Sequence, residues 1–552
     1  MQDSVPDIRN PSARWGTMTT RGGRILPGLV GVGVIAALAL ATTACAASGG
    51  ANKSKSVSML TTVLPPVLDP RQSSSLASGS LLIALEPLLR YHDGKFEPLL
   101  ASVVETPDPT TYVLTIRDGV TFWDGSPFTA EDAAFSISLH VGADSESVNA
   151  ALFTQVKSVE VTGDDKATVS LSAPDPQFTA ALAQIGMVSK AFYDKNGTRV
   201  GTRDVLNLGT GPYKFAAFSP TREVTLEAND GYWGEGKPAL ENVKLGVISD
   251  DAARMNALQS AEYDGMLNVP LPQVASIGGL PNMRIADSAD LSVYKFNLNV
   301  ETKPWNDIHL RRAFQMALNR GAIVQGALGG NAELAPTVVP ESVMDALAGE
   351  EATRAAYTKL GNDIVFDLDA ARNEIAQSSS PAGVSAEVLV TGSDPTLGLI
   401  VQTAAQDLAK IGIKLQVREV DDQTYYSAVY FGRETDGVSI DMFSGSTPDA
   451  SNLPMYVING ANTAIAGGSG TNISDYVNPA VDARLNDSQK LAVDDPRRGA
   501  LLLEALTLAQ ADVPYVPIAF PKVFVAARNG LDAASAGTFW WMSRWPDALV
   551  AA

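Results

Sequence analysis

The sequence predicts a mixed α/β (α+β) protein of more than one domain, and three observations carry that reading. The chain has 552 residues, too long for one ordinary domain and suited to two to four. Its first half repeats short runs of alternating polarity around Asp-Gly and Gly-Asp turns, the pattern of antiparallel strands. Its second half contains the order "SAEVLVTG", "TLGLIVQTAAQDLAKIG", "IKLQVREV". A strand, a helix and a second strand in that order imply a parallel pair with a right-handed crossover.

Met1 and Met18 are both candidate starts; after Met18, Arg21 and Arg24 precede an apolar run over residues 29–41. That run has the length of a signal peptide core and is too short for a good spanning helix. Thr43-Ala44-Cys45 then resembles the lipobox of bacterial lipoproteins, with Thr42 where leucine is usual. Residues 1–45 are expected to be a signal peptide, Cys45 the lipidated residue, and Gly/Ser-rich residues 46–56 a flexible tether.

Folded sequence is expected from Val57. "SVSMLTTV" reads as a strand and "SGSLLIALEPLLRYH" as a helix ending at the turn Asp93-Gly94. "TYVLTIRDGVTFW" reads as a hairpin turning at Asp118-Gly119, with Tyr112, Leu114 and Ile116 on one face. After Asp124-Gly125 and Pro127, Thr129 stands where an N-cap belongs, with Asp132 three residues on as in a capping box. Glu131 and Asp132 thus have structural work in a first helical turn, where the helix dipole favours acids. "VKSVEVTGDDKATVSLSAP" is a second hairpin, and Asp250 or Asp251 caps a helix after "ENVKLGVIS". Past a strand at "VYKFNLNV", Asp307 caps one long amphipathic helix, "DIHLRRAFQMALNRGAIVQGAL". The chain closes with a helix and strand-like sequence.

Formal net charge is -20, from 41 basic and 61 acidic residues, which argues against a nucleic acid partner. One cysteine and three scattered histidines, His92, His140 and His309, supply neither a disulfide nor a metal cage, so no cofactor is expected. Walker A and Gly-x-Ser-x-Gly motifs are missing. Ser292-x-x-Lys295 has a nucleophile-like spacing, but in a strand those positions face opposite ways. No enzyme is indicated.

"LEPLLRYHDGKFEPLLASVVETPDPTTYVLTIRDGVTFWDGSPFTAEDAAFS", "GTGPYKF", "NDGYWGEGKP" and "PWNDIHLRRAFQMALNR" occur in that order. Together they resemble the solute-binding lipoproteins of peptide and nickel ABC importers, extracellular solute-binding protein family 5, over the whole mature chain. The resemblance implies a two-lobed periplasmic-binding-protein-like fold with a hinge and an inter-lobe ligand cleft. Residues 57–295 and 512–552 would form lobe I and residues 296–511 lobe II, crossing near Phe296-Asn297 and Val513-Pro514. The chain would be a monomer anchored by lipid outside the membrane, handing short peptides to an ABC permease.

In peptide-binding members of that family an amine-binding Asp follows a Gly-Trp pair. Here "IDMFSGSTPDASNL" has Ser446 in place of the Trp and a shortened following segment. Asp449 therefore matches either the amine-binding acid or a later family Asp. Tyr425, Tyr426, Tyr430 and Trp541 are further candidate contacts, and Arg71, Arg418 and Arg433 are candidates for a ligand carboxylate. Trp123, Tyr232 and Trp233 read as scaffold. The altered loop leaves open a different solute, such as an oligosaccharide, a metal chelate or glutathione, and also a regulatory or scaffold role without transport.

Overall fold

The structure, a computed structural model, describes residues 56–550 except 74, 93, 94, 143, 144, 446, 536 and 538. The expected leader, Cys45 and residues 46–55 lie outside the described residues. β1 (Ser56–Thr61) opens the fold, and β2 (Leu89–His92) and β3 (Lys95–Pro98) form a small hairpin. A four-stranded antiparallel sheet follows: β4 (Ala101–Asp108), β5 (Thr111–Ile116), β6 (Val156–Gly163) and β7 (Lys166–Leu171), in spatial order β4-β5-β7-β6. Alternation sets its inner face, where Tyr112, Leu114, Ile116, Ala167, Val169 and Leu171 are buried. The helix Ala130–Ser138 packs on β6 and β7. Thr129 caps it, and Asp132 returns the bond to the Thr129 N–H.

The remaining strands are β8 (Tyr213–Ser219), β9 (Glu223–Ala228), β10 (Asn242–Val247), β11 (Gly265–Met266), β12 (Met283–Ala289), β13 (Ser292–Leu298), β14 (Ala332–Leu334), β15 (Val384–Thr391), β16 (Ile413–Val420), β17 (Val438–Ser444) and β18 (Tyr515–Arg528). Ten strands join in one sheet along β17-β13-β18-β11-β1-β10-β9-β8, with β12 and β14 also on β18. β18 organises it. Its first half pairs with β13 and β14, and its second half, from Lys522, with β12 and β11. β15 and β16 form a separate parallel pair joined by the helix Pro395–Leu408, as the strand–helix–strand order required. Gly412, left-handed at φ 87°, ends that crossover.

The buried apolar residues divide into two groups. One draws on residues 57–291 and 523–549, the other on residues 293–520. The chain passes between them at the start of β13 and in the middle of β18. The architecture is mixed α/β, with strands in more than one sheet.

Three local expectations fail for identifiable reasons. Residues 81–88 form turns instead of a helix, because their carbonyls serve other segments: Ile83, Ala84 and Glu86 accept from Tyr213, Gly211 and Met187. The turn at Asp118-Gly119 forms, with Gly119 at φ 77°, but no hairpin returns along β5. Both edges of β5 are already taken by β4 and β7, and Thr121 pairs only with Pro127 in an isolated bridge. The long helix from Asp307 is two, Ile308–Met316 and Arg320–Gly326. Asn319 restarts it by accepting from the Ala322 N–H.

Candidate functional site

Two strands end together on one side of the second core group. Tyr294, near the start of β13, brings its hydroxyl to 3.5 Å from Asp394 Oδ2, just past the end of β15. Tyr425, just past β16, donates its hydroxyl to the Ile440 carbonyl of β17 at 2.6 Å. The carboxyl ends of β15 and β16 therefore meet beside the middle of β17 and the start of β13. Open α/β sheets present ligand-contacting loops at such ends.

This wall is acidic and phenolic. Asp394 Oδ1 caps the helix by accepting from Thr396 N–H at 3.0 Å; burial raises its carboxyl above the ordinary range. Tyr425, Tyr426 and Tyr430 follow one another, with ring centroids 5.4 and 5.6 Å apart. Tyr430 lies in a π-helical turn, Ser427–Gly432, and donates to Asp441 Oδ2 at 3.1 Å. Asp441 stands directly across from Lys295 in the β13–β17 register. Lys295 Nζ donates to Asp441 Oδ1 at 2.8 Å and to Asn297 Oδ1 at 2.5 Å. Both charges are fully buried, and burial lowers the Lys295 ammonium below its ordinary value even beside Asp441. Beyond β15 and β16, Gly392, Ser393, Glu419, Val420, Asp421 and Asp422 line an open groove of about 660 Å³. Among the described residues no group of three or more His, Cys, Asp or Glu is placed to hold a metal.

Comparison with known proteins decides the family. The model of bacterial extracellular solute-binding proteins, family 5 Middle, matches residues 95–464. The chain belongs to this family. The glutathione-binding protein GsiB of Salmonella typhi is 27% identical over 433 residues, which cover 77% of this chain and 80% of that protein. Among solved structures, the periplasmic binding protein DppA of Helicobacter pylori, in complex with the peptide STSA, superposes with a TM-score of 0.73 at 22% identity, over 90% of this chain and 97% of the other. The substrate-binding protein CtaP of Listeria monocytogenes gives 0.75 at 21% identity, over 90% and 100%.

The family motifs fall in the scaffold. Trp123 Nε1 donates to the Gly211 carbonyl, and Tyr232 and Trp233 both donate to the buried Glu86. Of the candidate ligand contacts, Tyr425 is buried with its hydroxyl used, while Tyr426 is half exposed at the wall. Asp449 lies in the loop after β17, where Oδ1 accepts from Arg498 Nη2 at 2.9 Å and from Ser451 N–H at 2.8 Å. Arg498 is fully buried and also donates to the Ser488 and Val493 carbonyls. Trp541 belongs to the first core group, edge-on to Phe539 and Trp540. The candidate cations are paired: Arg71 with Asp69, Arg418 with Glu387, Arg433 with Asp475. Sequence reasoning passed over Asp394, whose signal was an N-cap before Pro395 directly after a strand.

Proposed function

We propose that this family 5 protein captures a short peptide between two lobes and delivers it to an ABC permease, acting as a binding protein and not an enzyme. The lobes are assigned to the two core groups, with hinges at the start of β13 and in β18. Cys45 is assigned as a lipid anchor on the extracytoplasmic face. One observation carries the peptide reading: the wall at the ends of β15 and β16 is rich in carboxylates and phenols, while its cation, Lys295, is already neutralised by Asp441. Such a wall favours a ligand that brings a positive group, as a peptide brings its ammonium. Asp394 is assigned to hold that ammonium, with Tyr426 against the peptide. Asp449 is assigned to brace its own loop.

Glutathione is the second reading, favoured by the similarity to GsiB. Its two carboxylates would need unpaired cations. Native mass spectrometry of the body from residue 46 onward, purified gently, separates the two. A spread of adducts in the short-peptide range, and Asp394→Asn weakening free-amine peptides at least tenfold while sparing N-acetylated ones, supports the peptide. A single adduct of glutathione mass, insensitive to Asp394→Asn, refutes it.

A further inference from the structure

The first core group holds an open cavity of about 940 Å³ that shares no residue with the wall around Asp394. It lies between the β2–β3 hairpin, the loop before β10 and the C-terminal segment around residues 537–548. Tyr91, Leu99, Phe539 and Met542 give it an apolar side, with the Tyr91 and Phe539 rings edge-on at 5.4 Å. Its volume suits an organic molecule and far exceeds the needs of a water or a simple ion.

The polar side of the cavity has its acids engaged and its cations only partly so. Glu86 is buried and accepts from the Tyr232 hydroxyl at 2.5 Å, the Trp233 indole at 2.9 Å and the Thr210 hydroxyl at 2.9 Å. Asp547 Oδ1 accepts from the Tyr213 hydroxyl at 2.5 Å and the Ala239 N–H at 3.0 Å. Asp532 Oδ1 accepts from the Ala534 N–H at 3.1 Å. Arg544 has five N–H donors to place. Its Nη2 meets Asp547 Oδ2 at 2.5 Å, and its guanidinium lies 5.3 Å from the Tyr232 ring centroid. Among the described residues Nε finds no hydrogen-bond partner, although the side chain is only 29% exposed. Arg90 spends Nε and Nη2 on Glu97, and exposed Lys237 makes no ion pair among the described residues. Spare hydrogen-bonding capacity on this wall therefore belongs to cations, next to an apolar surface.

The geometry points to a second binding site here, for a free organic anion with an apolar body: a carboxylate head held by Arg544, with Lys237 and Arg90 beside it, and a hydrocarbon tail against Tyr91, Leu99, Phe539 and Met542. Guanidinium–carboxylate bonds are among the stronger hydrogen bonds in proteins, and the planar fork matches a carboxylate. The negative charge of the whole chain slows the approach of an anion, but beyond about 8 Å that field is screened at physiological salt, and the cavity's own cations govern the bound contacts. The site is independent of the solute that the acidic wall takes.

The probe is decanoate, with decan-1-ol as its uncharged counterpart, titrated calorimetrically into the full-length chain. Decanoate is expected to bind about tenfold more tightly than decan-1-ol. Arg544→Met should abolish that preference, and Arg544→Lys should keep part of it. Thermal unfolding checks that each variant stays folded. Location is read on the parent, so the test survives a variant that does not fold. A decanoate analogue with a terminal diazirine, photolysed on the protein, should label residues 82–99 and 539–548. Labelling confined to residues 1–55, or centred on residues 391–426, overturns the site. So does equal affinity for decanoate and decan-1-ol, or a preference that survives in folded Arg544→Met. Displacement of decanoate by excess tripeptide would mean one shared site and overturns it too. Capture of the chain by phosphatidylglycerol vesicles without any binding of decanoate would make the cavity a bilayer contact and likewise refute a site for a free ligand.

Discussion

Asp449 shows how much a single residue's role depends on partners far away in sequence. Its carboxylate is the counter-charge of Arg498, whose side chain is fully buried. Removing one partner of a buried pair leaves the other charge uncompensated. Asp449→Ala should therefore cost about 3 kcal/mol of stability, seen as a lower midpoint in urea, while peptide affinity of the remaining folded protein changes little. Lost affinity at unchanged stability would instead make Asp449 a ligand contact. His140 offers a second residue-level test. It is fully buried, bonded to Ser147 and stacked on Phe153, and burial lowers its pKa from 6.5 to about 4. The folded state thus resists a proton that the unfolded chain takes readily. Its contribution is present above pH 6.5 and is lost as pH falls toward 4, amounting to about 3 kcal/mol at the acid end. Comparing denaturant midpoints of the parent and His140→Gln across that window checks it; equal slopes against pH would refute it. Spacing after Gly445 singled out Asp449 in the sequence. Arg498 lies 49 positions later, and no local pattern joins the two.

Elements were legible where the local signal and the tertiary surroundings agree. The capping box at Thr129, the β6–β7 hairpin and the β15–β16 crossover all formed, because turn chemistry and apolar alternation pointed the same way. Residues 81–88 were misread because their apolar run is equally compatible with a helix and with a segment buried on all sides. What decided was the set of donors arriving from Gly211, Tyr213 and Met187. The acidic wall was illegible for a related reason: Tyr294, Asp394, Tyr425 and Asp441 meet only once β13, β15, β16 and β17 are aligned. The crossover itself depends on one close approach. Gly383 precedes β15 at φ 94°, and a Cβ there would lie 2.3 Å from the Gly412 carbonyl oxygen. Gly383→Ala combines a left-handed backbone with a backbone clash, so about 2–4 kcal/mol of destabilisation is expected. Ser385→Ala, exposed on the adjoining strand, should stay within about 0.5 kcal/mol. A Gly383→Ala midpoint as close to the parent as that of Ser385→Ala would mean the loop rearranges freely.

For the whole molecule, net charge acts where individual contacts do not. The chain carries 41 basic and 61 acidic residues, a formal charge of -20 at pH 7, and the proposed ligand wall adds Glu419, Asp421 and Asp422 at its mouth. A field of that sign draws cationic solutes toward the protein and turns anionic ones away, over a range set by salt. At physiological ionic strength screening acts over about 8 Å, so the effect belongs to approach and not to the bound contacts. Association of a lysine-containing tripeptide should therefore slow by about tenfold between roughly 20 mM and 300 mM salt, with dissociation nearly constant. A neutral tripeptide should change little, and a doubly acidic one should associate faster as salt rises. Stopped-flow association rates for the three peptides over that range test it directly. Salt slopes of one sign for all three would place the effect in the bound state, and the charge of the molecule would then have no part in selecting what reaches the cleft.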